Sequence, residues 1–180
     1  MNQKYNSCLL TNDVETTSIW HNSLRDSTGK KVFEEGMPLL LDLYAKYKIQ
    51  STFFFTGYIA KLYPGIVKMI TKYGHEVASH GMSHIKNDGF DVMPLERQIK
   101  HLKDSKNILE ELSGQEVISF RAPALRVNDD TIQALIQCGY KIDSSVASQR
   151  FDLFMSFGGI KKLNWILKIV NMLQVEEKHQ

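Results

Sequence analysis

The chain alternates short apolar segments with segments of helical periodicity, and this alternation most limits what it can fold into. The apolar segments are separated by helical patterns, and no turn sequence typical of a β-hairpin joins two of them. Parallel strands need such long crossovers, so the pattern predicts an α/β architecture with a parallel sheet. The predicted strands are 7–12, 51–56, 76–79, 117–120 and 140–142.

Helices are predicted between these strands from apolar stripes and from residues that start or stop a helix. Pro64 and Pro94 suit first turns, while Gly74 and Gly114 stand where a C-terminal cap is expected. The predicted helices are 37–48, 64–73, 94–113 and 128–137. Strand and helix therefore follow each other along most of the chain, as they do in a β/α barrel.

Polar residues follow four of the predicted strands at the point where each strand ends. They are Asp13, His80, Arg121 and Asp143. In a β/α barrel the carboxyl ends of the strands meet at one face, where the loops build the active site. The sequence therefore predicts that these four side chains share one site.

Two histidines and two acids suggest what chemistry this site performs. His80 and His84 are four residues apart, so on a single helical turn they face the same way and can share a metal ion. Asp13 and Glu15 supply carboxylates, and this combination suggests metal-assisted hydrolysis. Taken singly, the histidines are also typical of polar loop residues, Asp13 of a helix cap, and Glu15 of a solvent-facing acid.

Composition indicates an ordinary globular chain and excludes some partners. The 180 residues are 43% hydrophobic and 23% charged, with a net charge of +2 and scattered Lys and Arg, so nothing favours nucleic-acid binding. No apolar run reaches the ~18 residues of a membrane span. The N-terminal apolar stretch is too short for a signal peptide, and Cys8 and Cys138 form no CxxC pair. We expect a cytoplasmic protein with reduced thiols.

Four ordered motifs give the chain a family resemblance. TNDVE at 11–15 resembles an acidic strand-end motif that is commonly TFDDG, and GHE followed by SHGMSH at 74–84 resembles a paired-histidine motif. Arg-Ala-Pro at 121–123 and Ile-Asp-Ser-Ser at 142–145 resemble the motifs that follow. In these features, over about residues 7–148, the chain resembles the polysaccharide deacetylases, the NodB-homology or carbohydrate esterase family 4 group.

The resemblance implies a distorted (β/α) barrel and a role for each matching residue. Asp13 resembles the general base, and Arg121 the arginine that pairs with it and orients it. His80 and His84 resemble the metal-binding histidines, with Glu15 as the third ligand. Zn²⁺ is the expected ion, with Co, Ni or Mn as alternatives that suit similar ligands.

Two further residues are expected to shape substrate binding. Pro123 would shape the loop after Arg121, and Asp143 would either touch the substrate or organise a turn with the two serines after it. The expected substrate is an acetylated carbohydrate. The identity of the sugar depends on the conformation of loops, which the sequence does not predict.

The chain departs from the family pattern at the second acid of the first motif. Val14 stands there and cannot bind a metal, so Glu15, two residues after Asp13, is expected to serve instead. Residues two apart on a strand share a face, which puts Glu15 on the same side as Asp13.

A second departure concerns the end of the chain. The family's later strands bring a histidine that acts as general acid, but the only histidine after residue 148 is His179 in a polar tail. We therefore expect about five strands of a usual seven, with an incomplete deacetylase domain over 1–150 and a divergent helical segment over 151–180. An apolar stripe over 160–173, flanked by lysines, is compatible with peripheral membrane contact.

The leading hypothesis is a metal-dependent hydrolase that removes acetyl groups from N-acetylated sugars. One alternative is a non-catalytic, truncated fragment that binds metal or glycan at most. Another is a metal-independent hydrolase of cyclic amides with the same fold, which would leave both histidines of the pair without a role.

Overall fold

The computed structural model describes residues 8–15, 17–18, 23–24 and 26–146. The predicted helical segment over 151–180, including the stripe over 160–173, lies outside the described residues. Among the helices of the described part, none combines the length and the apolar character that a membrane span requires.

A five-stranded parallel sheet forms the centre of the molecule, as the alternating pattern predicted. The spatial order is β1-β4-β5-β6-β7. These strands are β1 Thr11–Val14, β4 Thr52–Phe55, β5 Glu76–Ser79, β6 Ser119–Phe120 and β7 Ile142–Asp143. A short antiparallel ribbon that the sequence did not predict, β2 Thr17–Ser18 with β3 Ser23–Leu24, follows β1. The α/β fold with about five parallel strands is confirmed.

Helices connect the strands and cover one side of the sheet. They are α1 Asp26–Lys31, α2 Met37–Tyr47, α3 Gly57–Leu62, α4 Pro64–Lys72, α5 Leu95–Ser113 and α6 Asp130–Gln137, with a π-helical turn at Val32–Gly36. The sequence did not predict α3, which begins where the Thr56 hydroxyl accepts a hydrogen bond from the Ile59 N–H. Such an N-cap stabilises even a short helix.

Side chains alternate between the two faces of each strand, and this divides the core from the site. Val14, Phe53 and Phe55 belong to the apolar core between sheet and helices. Asp13 pairs in register with Phe54, so both lie on the opposite, inner face. The sequence was wrong to end the first strand at residue 12, because the ladder with β4 runs from Thr11 to Val14 and includes Asp13.

His75 lies at the other end of β5 from the predicted site and is part of the buried framework. It is 3% exposed, and its Nδ1 accepts a hydrogen bond from the Ser51 N–H at 3.3 Å. The rings of Tyr44 and Phe53 lie 5.7 and 5.3 Å from the imidazole. Burial among these groups disfavours the charged ring and lowers the pKa of His75 below its usual 6.5.

This burial makes the fold sensitive to acid. Because the pKa of His75 is lower in the folded than in the unfolded chain, the unfolded chain binds more protons below about pH 6.5. The contribution to stability is therefore complete above that pH and is lost as the pH falls from there through the lower pKa of the folded chain. We expect the free energy of unfolding of His75→Gln, measured in urea between pH 8 and pH 5, to fall less steeply than that of the wild type. Parallel curves would contradict this role of His75.

Candidate active site

The carboxyl ends of β1, β5 and β6 bring the predicted site residues together. Glu15 follows β1, His80 follows β5 and Arg121 follows β6. The i, i+4 spacing of the two histidines would fit a helical turn, but the pair does not lie on one. His80 and His84 stand on a loop, in which Gly81 has a left-handed φ of 70°. This turn brings the two imidazole ring centroids to 5.8 Å from each other.

His80 is held in one orientation by the backbone of Arg121. Its side chain is almost completely buried, and Nδ1 lies 2.7 Å from the carbonyl oxygen of Arg121. A carbonyl oxygen only accepts, so Nδ1–H is the donor and Nε2 of the neutral ring keeps its lone pair. Burial, the largest cause, lowers the pKa of His80 to about 4. His80 is therefore neutral near pH 7 and offers Nε2 as a ligand.

Glu15 presents a buried carboxylate to the two histidines. Its Oε2 is buried and has no hydrogen-bond partner among the described residues, while His84 Nε2 lies 3.9 Å from it. Burial first, and the neighbouring charge of Asp13 second, raise the pKa of Glu15 to about 7. A carboxylate in this setting is costly unless a cation compensates it.

Glu15, His80 and His84 have the donor set and the spacing of a metal site. One ligand atom from each residue lies within 4.8 Å of the others. A carboxylate and two imidazoles suit Zn²⁺ and related ions. The unsatisfied Oε2 of Glu15 and the fixed tautomer of His80 fit a cation held between them. The three predicted ligands are therefore compatible with a bound divalent metal.

Asp13 lies beside this cluster and is paired with Arg121. The Arg121 Nη1 donates to Asp13 Oδ1 at 2.8 Å. The Arg121 guanidinium carbon also lies 4.2 Å from the centre of the Phe54 ring, a cation–π arrangement. The family resemblance implied this contact between Asp13 and Arg121.

The two predicted substrate-binding residues occupy different surroundings. Pro123 is buried, and its Cδ lies 3.8 Å from the position that a Cβ added to Gly81 would take. The Asp143 Oδ1 accepts hydrogen bonds from the N–H and the hydroxyl of Ser145 within its own turn. The structure therefore shows Asp143 organising this turn, and contact with substrate stays a prediction for both residues.

Sequence reasoning missed three residues that contact Arg121. Thr11 Oγ1 and Ser144 Oγ accept hydrogen bonds from Nη2 at 3.0 and 2.8 Å, and Phe54 supplies the ring beneath it. Thr11 and Ser144 belong to two of the sequence motifs, TNDVE and IDSS, so the sequence did indicate that both positions lie near the site. The sequence did not indicate that both contact Arg121, because that contact depends on how the strands are arranged in the sheet.

The loop that carries His84 is tied to α5. The Ser83 hydroxyl, next to His84, donates to Asp88 Oδ2, and Arg97 Nη2 on α5 donates to Asp88 Oδ1 at 2.9 Å. A second ion pair joins this loop to the one after β6, with Arg126 Nη2 2.6 Å from Asp91 Oδ2. These contacts limit the motion of the loop that carries His84.

The sequence model that describes polysaccharide deacetylases matches residues 14–142. The chain belongs to the polysaccharide deacetylase family. It is 30% identical over 146 residues to the peptidoglycan deacetylase of Helicobacter pylori. The aligned region covers 77% of this chain and 49% of that protein. It is 29% identical over 140 residues to the peptidoglycan-N-acetylglucosamine deacetylase of Bacillus cereus, covering 74% of this chain and 64% of that protein. The chain thus spans about half of the first relative and less than two thirds of the second.

A solved structure supports the fold independently. A pseudoenzyme of carbohydrate esterase family 4 from Bacillus anthracis superposes with a TM-score of 0.60 at 21% identity, over 75% of this chain and 41% of that one. At this identity the likeness shows a shared fold, and a pseudoenzyme among the neighbours shows that the fold alone does not establish activity.

Gly81 is expected to be harder to replace than Gly114, a glycine with a similar backbone conformation outside the site. An added Cβ would lie 3.1 Å from the buried Phe90 ring, whereas at Gly114, which has a similar φ of 68°, it would meet nothing within 4 Å. Both Gly81→Ala and Gly114→Ala incur about 1–2 kcal/mol for a left-handed backbone. We expect Gly81→Ala to lose more free energy of unfolding in urea than Gly114→Ala. Equal losses of unfolding free energy in the two variants would show that the Phe90 ring can move aside at no cost.

Proposed function

We propose that the chain is a metal-dependent hydrolase that removes acetyl groups from N-acetylated sugars, leaving acetate and a free amine. The observation that carries the proposal is the cluster of Glu15, His80 and His84 beside the Asp13–Arg121 pair. Family membership and the two relatives described as peptidoglycan deacetylases support an acetylated sugar as the substrate.

Glu15, His80 and His84 would hold the divalent ion. When bound, such an ion polarises the amide carbonyl and lowers the pKa of water, the usual chemistry of hydrolytic metal sites. The Arg121 carbonyl keeps His80 turned so that Nε2 faces the cluster, and burial keeps that ring neutral. Zn²⁺ is our expected ion, with Co, Ni or Mn as alternatives for the same ligands.

Asp13 is the proposed general base. Arg121 binds Oδ1, which leaves Oδ2 as the oxygen that takes the proton from the attacking water. The pairing fixes the direction of the carboxylate, since the guanidinium itself rests on the Phe54 ring. Roles for Pro123 and Asp143 in substrate binding, and the cytoplasmic location, remain predictions from the sequence.

Metal binding is expected to depend on His84 and not on His75. We expect about one zinc-like ion per wild-type chain by elemental analysis. His84→Ala should weaken binding more than about 100-fold, the upper range for residues outside the ligand sphere. His75→Gln, a change roughly 15 Å away along β5, should leave it unchanged. Equal metal content in His84→Ala and the wild type would overturn the ligand assignment.

Hydrolysis is expected to depend on Asp13 separately from metal binding. Asp13→Asn keeps a side chain that fits beside Arg121 but removes the base, so kcat on an N-acetylated chitooligosaccharide should fall by about 10²–10⁴. Its metal content should match the wild type. Acetate release measures the rate, and His75→Gln serves as the control.

The same assay separates the enzyme from its alternatives. A wild-type chain that binds the ion but releases acetate no faster than Asp13→Asn is a non-catalytic binding protein. Activity that persists after chelation and in His84→Ala would indicate the metal-independent hydrolase instead.

A further inference from the structure

The Arg121 side chain reaches across the inner face of the sheet and contacts two other strands. It follows β6, yet its Nη1 bonds Asp13 on β1 and its guanidinium lies over Phe54 on β4. The side chain is only 16% exposed. Rotation of the Arg121 guanidinium would move Nη1 away from Asp13, so the contact requires other groups that fix the orientation of the guanidinium.

The second terminal nitrogen of Arg121 is held by two hydroxyl groups. Nη2 donates to Thr11 Oγ1 at 3.0 Å and to Ser144 Oγ at 2.8 Å. Thr11 belongs to β1 and Ser144 follows β7, the two outer strands of the described sheet. Since the guanidinium is a rigid plane, fixing Nη2 and stacking the plane on Phe54 also fixes the direction of Nη1.

The place of Ser144 is itself fixed by a well-bonded turn. The Ser144 N–H donates to the Phe120 carbonyl at 2.8 Å, which continues the ladder between β6 and β7. The Ser145 hydroxyl donates to Asp143 Oδ1 and accepts from the Ala122 N–H at 2.8 Å. This turn is therefore held by backbone groups, Asp143 and Ser145, while the Ser144 hydroxyl is directed at Arg121.

We propose that Ser144, with Thr11, is a positioning residue that holds Arg121 Nη2 and so aims Nη1 at Asp13. The role rests on the proposed deacetylase function, in which Asp13 is the base. Ser144 itself is neither the proposed base nor a proposed metal ligand. Its effect reaches the reaction through the direction of one arginine.

Kinetics of full-length variants test this role. The Ser144–Arg121 bond is charge-assisted, so Ser144→Ala should lower kcat on the N-acetylated oligosaccharide about tenfold or more with little change in KM. Ser144→Thr, which keeps the hydroxyl, should restore most of the rate. Ser113→Ala is the matched control, because it removes a serine hydroxyl that accepts one backbone bond at the far end of α5. An unchanged kcat in Ser144→Ala, or no rescue by Ser144→Thr, would overturn the proposal.

A measurement on the metal-free protein tests the same contact without any activity. NMR of ¹⁵N-labelled guanidinium groups, with Arg121 assigned through Arg121→Lys, should show restricted Nη rotation in the wild type and in Ser113→Ala. Ser144→Ala should speed that rotation, and Thr11→Val combined with Ser144→Ala should speed it further. Identical spectra in wild type and Ser144→Ala would reject the contact. A wild-type chain with restricted Nη but no acetate release would reject the proposed function and leave the Arg121 contacts established.

Discussion

Arg121 is the residue on which the geometry of the site depends. Its side chain binds the Asp13 carboxylate, and its backbone carbonyl binds Nδ1 of His80. Its N–H also donates to the Ser79 carbonyl, which ties β6 to β5 at the point where the site begins. The proposed base and a proposed metal ligand, which are far apart in sequence, are therefore positioned by one residue. Displacing its backbone would move both.

The electrostatic state of the proposed ligands follows from the same burial. His80 and Glu15 both lie where water solvates a charge poorly, so the histidine is kept neutral and the acid is biased toward its protonated form. A divalent cation between them would remove that cost, because it would pair with the carboxylate and use the lone pair that the neutral imidazole already presents. Metal binding here should release a proton from Glu15 at pH values near 7 and below.

The sequence predicted best what depends on local periodicity. The strand Glu76–Ser79 was predicted with the bounds that the structure has. The first strand was placed too early, because the apolar Leu9 and Leu10 suggested burial, yet Leu9 is 91% exposed and the pairing with β4 begins at Thr11. The spacing of the histidine pair also fits a helical turn, but the structure has a loop there, in which Gly81 is left-handed.

What the sequence did not predict depends on contacts between distant positions. Thr11 and Arg121 are separated by 110 positions, and their hydrogen bond exists only because the sheet brings β1 and β6 near each other on its inner face. No periodicity reports such a contact. The turn at Asp143 was visible as a motif, but whether its carboxylate faced substrate or Ser145 depended on how that turn docks against Ala122.

The unusual first motif, with Val14 where the family commonly has a second acid, follows from the same alternation of faces. Asp13 lies on the inner face, so Val14 points to the opposite side, where it is 3% exposed within the core that includes Phe55. A carboxylate at position 14 in this register would be buried among apolar groups beneath the helices. Glu15 returns to the side of Asp13, and one of its carboxylate oxygens lies within 4.8 Å of a ring nitrogen of His80 and of one of His84. Glu15 therefore supplies the acid of the site, while Val14 packs in the core.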